Sequence, residues 1–181
     1  RWSVLGEEGP GRVVDPEGRE YVKFDPRRYD EYIGEWVEPW TYIRLTHLRQ
    51  LGWKGLKDGE GTSLYRVAPM ARLNASEAMQ TPLAQKEAEI LFETLGGKPA
   101  HHTLANHWAR LICALQAAEN NVAIADNPVL TSKDIRNMNL KLQKKGIGAV
   151  EAPRGTLFHH YETDDDGIIT KVNLIVATQN N

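Results

Sequence analysis

One cysteine, Cys113, stands in the whole 181-residue chain. A lone thiol closes no internal disulfide, so burial and hydrogen bonding must hold the fold together. Nor can it build a four-thiolate site for zinc, nickel or an iron–sulfur cluster from its own residues. Apolar material is sufficient: 41% of residues are hydrophobic, and the length suits one domain or one large piece of a bigger one. A net charge of −2 with 25% charged residues excludes a disordered charged tail and a basic nucleic-acid coat, so no nucleic-acid partner is expected. No run approaches the roughly 18 apolar residues of a membrane span. The opening Arg1–Glu8 is no secretory leader, because its apolar stretch is short and acids follow at once. The first residue is not Met, which suggests processing or excision from a longer chain. The default is a soluble protein of a reducing compartment.

Period and punctuation predict the elements. Gly9-Pro10-Gly11 and Asp15-Pro16-Glu17-Gly18 bracket a small hairpin of Arg12–Val14 and Tyr21–Phe24. Asp25-Pro26 reads as a helix start, and Tyr29, Ile33, Trp36 and Val37 recur at helical spacing until Pro39. From Trp40 to Asn74 the pattern is irregular and glycine-spaced, which predicts a long functional or packed loop region. Thr81-Pro82 opens a second helix that Gly96-Gly97 closes, with Ala84, Ala88, Leu91 and Leu95 on one stripe. Leu104, Trp108, Leu111, Leu115 and Ala118 mark the clearest helix, and Asp126-Asn127-Pro128 ends it. The period then changes to two. Met138, Leu140 and Leu142 read as a half-buried strand that Gly146-Ile147-Gly148 breaks. Strands at Thr156–Phe158 and Lys171–Val176 flank a turn at Asp164–Gly167. The fold class is α+β: an N-terminal hairpin and helices, then a small antiparallel β-meander.

Four features invite chemistry. His101-His102 and His159-His160 are adjacent pairs, and neighbours on a helix or strand diverge too far to chelate one metal. They read as polar or packing histidines, or as one residue lining a site beside a carboxylate or backbone partner. Asp164-Asp165-Asp166-Gly167 lacks the alternating acids and terminal Glu of a calcium loop and reads as a solvated turn. Cys113 lies mid-helix among aliphatics, so it packs as a small hydrophobe. Val150–Leu157 differs, because Pro153 stiffens the chain and Gly155 frees it to turn, holding Arg154 in a defined bend. That guanidinium suits anion recognition or stabilising charge beside a metal centre; the alternative is a structural ion pair with Glu151 or another acid.

Gly148-Ala149-Val150-Glu151-Ala152-Pro153-Arg154-Gly155-Thr156-Leu157-Phe158-His159-His160-Tyr161 resembles the signature stretch of the nickel–iron hydrogenase large subunit. Further stretches agree in order: Phe24-Asp25-Pro26 with Tyr29, Glu38-Pro39-Trp40, Tyr65–Asn74, Thr81–Gln85, His107–Leu111 and Asn173–Asn181. The resemblance covers nearly the whole chain. It is strongest to the cytoplasmic, cofactor-coupled branch, and within it to the methyl-viologen-reducing, F420-non-reducing type.

The resemblance implies a catalytic subunit for reversible H2 oxidation, whose electrons pass to an iron–sulfur small subunit, with further electron-transfer subunits possible. It implies a nickel–iron centre whose iron carries carbonyl and cyanide, held by four cysteines paired near the ends of the full-length protein. Arg154 would lie over that centre as the catalytic cation, Pro153 would help enclose a cyanide pocket, and Thr178 would line the pocket. Ala177 stands where some relatives carry Ser or Thr. Both cysteine pairs are absent, so residues 1–181 read as one domain-sized interior fragment, cut between them, that binds no metal and is inactive alone. The alternatives are a non-catalytic structural or interaction fragment, or a metal-free relative among respiratory-complex subunits. The intact bend followed by His159-His160-Tyr161 argues against the latter.

Overall fold

The computed structural model describes residues 2–5, 11–136, 138, 139 and 141–181. Expectations resting on Arg1, Gly6–Pro10 and Leu140 lie outside those residues. The first hairpin forms where its turn chemistry requires. The Asp15 carboxylate accepts from the backbone N–H groups of Glu17 and Arg19 at 3.0 and 2.8 Å, and Gly18 takes the positive φ of +84°. This joins β2 (Gly11–Val14) to β3 (Glu20–Phe24). Strand β1 (Trp2–Leu5) pairs antiparallel with β2 and parallel with β6 (Tyr65–Arg66), so the sheet order is β3-β2-β1-β6.

The helix expected from Tyr29 to Val37 does not form. Asp25 does cap, accepting from Arg27 N–H at 2.9 Å, but only a 3-10 turn over Pro26–Glu31 follows. Ile33–Trp36 is strand β4, paired antiparallel with β5 (Leu45–Leu48). Gly34 decides the matter through packing. The His47 ring lies over it so closely that a Cβ there would sit 2.6 Å from His47 Nε2, and cross-strand contact outweighs local spacing.

The stretch read as irregular also carries structure. Besides β5 and β6 it holds helix α1 (Pro69–Ala75), in which Pro69, Met70, Ala71, Leu73, Asn74 and Ala75 are all buried. A helix buried all round shows no amphipathic period, which is why spacing does not reveal it.

Helices α2 (Pro82–Thr94) and α3 (Ala105–Ala125) form as expected. Thr81 does not cap α2 with its own side chain. Glu119 of α3 does so, accepting from Leu83 N–H at 3.1 Å, Ala84 N–H at 3.0 Å and the Thr81 hydroxyl at 2.7 Å. The buried face of α3 matches the expected stripe only in part, at Trp108 and Leu115, which pack against the helical core. Ala105, Ala109 and Ile112 face inward, while Leu104 and Leu111 are 80% and 69% exposed. Small residues let α2 and α3 approach, and Trp108 anchors to α2 by donating to Glu87 at 2.9 Å.

Among the described residues of the expected strand, Met138, Asn139, Lys141 and Leu142 lie in no strand, and Met138 and Leu142 are exposed. The meander begins later, as β7 (Lys145–Ala152), β8 (Gly155–Thr163) and β9 (Ile169–Ile175). Gly146 and Gly148 lie inside β7 rather than ending it. Open space surrounds both, and a continuous antiparallel register from Lys145↔Glu162 to Ala152↔Gly155 carries the strand past them. Two cores result. One joins Tyr29, Ile33, Leu48, Tyr65 and Val67 to Phe158 and Ile175 of the meander. The other joins Met70 and Leu73 of α1 to Leu91 and Ile112.

Candidate functional site

The β7–β8 ladder ends at the pair Ala152↔Gly155, which leaves Pro153 and Arg154 as the two residues of the turn. Gly155 makes the turn possible in two ways. Its φ is +121°, and a Cβ would meet Val67 Cγ2 at 2.1 Å and the Ala68 backbone nitrogen at 2.6 Å. The segment it packs on is itself unusual. Ala68, at φ +86° and ψ 172°, occupies a region that is nearly glycine-only, costing about 1–3 kcal/mol. Both surfaces of this contact are therefore conformationally specified.

Polar contacts close the remaining sides. The Asn181 amide donates to the Arg154 carbonyl at 3.1 Å and to the Ala177 carbonyl at 3.3 Å, while its oxygen accepts from Val67 N–H at 3.2 Å. Asn180 donates to the carbonyls of Thr156 and Val176, both at 3.0 Å, and accepts from the Tyr65 hydroxyl. Complete burial raises the Tyr65 pKa, which keeps that hydroxyl a donor. Beneath the bend the fully buried Glu151 carboxylate accepts from Arg72 at 3.3 Å and from the Thr156 hydroxyl.

Arg72 is therefore the partner of Glu151, and the ion pair of Glu151 with Arg154 does not form. Arg154 is exposed, and among the described residues its guanidinium has no hydrogen-bond or ion-pair partner. A cation on a fully braced backbone is thus left open for an external acceptor. Pro153, also exposed, lines a cavity of about 390 Å³ with Arg72, Arg110, Cys113 and Glu151. Thr178 is exposed in the terminal turn, which Asn181 ties to the bend, so Pro153, Arg154 and Thr178 belong to one end of the molecule.

Arg72, Tyr65, Asn180 and Asn181 shape the site; they lie in the stretches Tyr65–Asn74 and Asn173–Asn181 that carry the resemblance, but spacing and composition give none of them a role. The run of amides at Gln179-Asn180-Asn181 is the available signal, since such side chains favour bonding to nearby backbone.

The histidines fall into ordinary roles. His160 is buried as a polar packing residue, with Nδ1 3.2 Å from the Tyr29 hydroxyl and Nε2 3.1 Å from the half-buried Glu162 carboxylate. His101 lies between the Pro16 carbonyl at 2.6 Å and Arg66 at 3.0 Å. The Asp164–Gly167 turn is solvated, with Asp164 accepting from Asp166 and Ile168 N–H.

The donor set does not fit a metal centre. Among the described residues no three His, Cys, Asp or Glu side chains converge, and Cys113 packs half-buried against the helical core. No described helix is long and apolar enough to cross a membrane.

Comparison with known proteins identifies a family and a fold. The family described as nickel-dependent hydrogenase matches residues 64–181. An F420-non-reducing hydrogenase iron-sulfur subunit of Archaeoglobus profundus is 47% identical over 168 residues, covering 93% of this chain and 34% of that protein. The beta subunit of the NAD-reducing hydrogenase HoxS of Cupriavidus necator is 36% identical over 177 residues, covering 94% of this chain and 34% of its own length. Among solved structures, an NAD+-reducing nickel–iron hydrogenase in its H2-reduced state superposes with a TM-score of 0.87 at 36% identity, over 99% of this chain and 40% of the other. The nickel–iron–selenium hydrogenase of Desulfovibrio vulgaris Hildenborough, at 15% identity and TM-score 0.57, shares the fold. The chain spans about a third of the length of these two curated relatives.

Proposed function

The chain belongs to the nickel-dependent hydrogenase family, and from that premise we propose that it is the interior part, residues 1–181, of a hydrogenase catalytic large subunit. The activity is reversible oxidation of H2 to protons and electrons. The electrons pass to an iron–sulfur partner subunit, then to further electron carriers in the cytoplasm. The observation that carries this reading is the open Arg154 guanidinium on its braced bend. A preorganised cation of this kind stabilises charge that develops beside it without reorganising.

The thiolates for a nickel–iron centre with carbonyl and cyanide ligands are absent from this chain, so they come from the rest of the full-length protein. What these residues contribute is a rigid wall: Arg154 as the cation, with Pro153 and Thr178 beside it. The chain alone is then a scaffold without catalysis, a reading that its single thiol favours directly. The test compares the chain with its full-length parent in complex. The complex reduces a viologen dye with H2 and carries nickel and iron, whereas the isolated chain does neither. Stoichiometric nickel on the isolated chain, or a metal-loaded complex without H2-dependent dye reduction, contradicts the reading.

A further inference from the structure

The ion pair beneath the bend raises a question of charge. The Glu151 side chain has no exposed surface, and the Arg72 side chain is 13% exposed. Withdrawing two charges from water is less favourable than packing two hydrophobic side chains of the same volume, so stability alone is a poor reason to keep the pair. Its geometry supplies another reason. One Arg72 nitrogen donates to Glu151 at 3.3 Å and to the Ala152 carbonyl at 3.0 Å. The Thr156 hydroxyl, on the opposite arm of the hairpin, donates to the second oxygen of the same carboxylate. Both arms of the bend are thereby fastened to α1 through a single carboxylate.

The pairing also settles which cation is neutralised. Glu151 stands three residues before Arg154 and is the acid nearest to it in sequence. A carboxylate bound on one oxygen by Arg72 and on the other by Thr156 is not available to the Arg154 guanidinium. Arg72 and Thr156 hold it inward instead.

We propose that Glu151 and Arg72 are positioning residues for Arg154: they fasten the bend to α1 and, by neutralising each other, keep the Arg154 guanidinium uncompensated. This rests on the role of Arg154 proposed above. The experiment is a double-mutant cycle in the full-length, metal-loaded complex. Glu151→Gln preserves size but removes the charge, and is expected to lower turnover about tenfold with nickel and iron content unchanged, because small misplacements of a positioned group are costly. In an Arg154→Lys background the same change should add less than about twofold, because residues acting as a unit are not additive. Equal losses in both backgrounds, or wild-type turnover in Glu151→Gln, overturn the positioning role. Wild-type turnover in Arg154→Lys alone is a separate result that overturns the role of Arg154 itself. Should Glu151→Gln fail to assemble, Thr156→Val removes one donor to the same carboxylate and passes through the same cycle with the same criteria.

Discussion

The bend at Glu151–Thr156 and the outer face of α3 make opposite use of their residues. The bend is small and polar, its backbone is held by Asn181, Arg72 and the close approach of Val67, and Pro153 and Arg154 stand exposed on it. The α3 face is large, apolar and open: Leu104, Leu111 and Val122 lie one above another at 80%, 69% and 67% exposure. Exposed apolar rows mark surfaces that meet something else, whereas the bend holds one charged group, Arg154, on a backbone fixed by its neighbours. The contrast separates what this chain builds by itself from what it offers to its surroundings.

Breaking the bend should have the largest effects. Arg72→Ala leaves the Glu151 carboxylate buried without its cation and should cost about 3–5 kcal/mol of stability, read as a fall in the urea midpoint. A loss under about 1 kcal/mol would dissolve the claim that the bend is internally braced. Gly155→Ala comes next, at about 2–3 kcal/mol, since the new methyl meets Val67 and the Ala68 backbone at a φ suited to glycine. Thermal unfolding reads it, and a neutral result would show that the 65–68 segment yields freely.

Away from both regions, burial lowers the His47 pKa. The unfolded chain then binds a proton that the folded chain refuses, so this contribution to stability is present above the ordinary value near 6.5 and is lost as pH falls towards the folded pKa. Melting temperature should fall across that acid window, and His47→Phe should flatten the fall. Leu111→Ser on the α3 face should change stability by less than about 0.5 kcal/mol while reducing self-association of the isolated chain in light scattering. A large stability loss there would show that the face is not open.

Local chemistry explains which parts are readable in advance. The Asp15–Gly18 turn, the Gly96-Gly97 helix end and the Pro153-Arg154-Gly155 bend each depend on residues adjacent in sequence, and each forms where expected. Errors arise where distant residues decide. Gly34 joins a strand because His47 lies over it, and α1 hides its period by being buried all round. The third case is α3, whose Ala105–Ala109–Ile112 face goes inward because α2 needs close approach, leaving Leu104 and Leu111 outside. The same division holds for the site. The turn at Pro153-Arg154 is legible from the stiffness of its own tripeptide. Arg72 and Asn181 are not, since they reach the bend from 80 and 27 positions away.

The central claim is that an uncompensated cation on a braced bend serves the chemistry of the parent protein. Turnover of Arg154→Lys in the full-length, metal-loaded complex tests it most directly. Loss of a preorganised donor predicts a fall of about 10²-fold with nickel and iron content unchanged. Wild-type turnover at full metal content would contradict it.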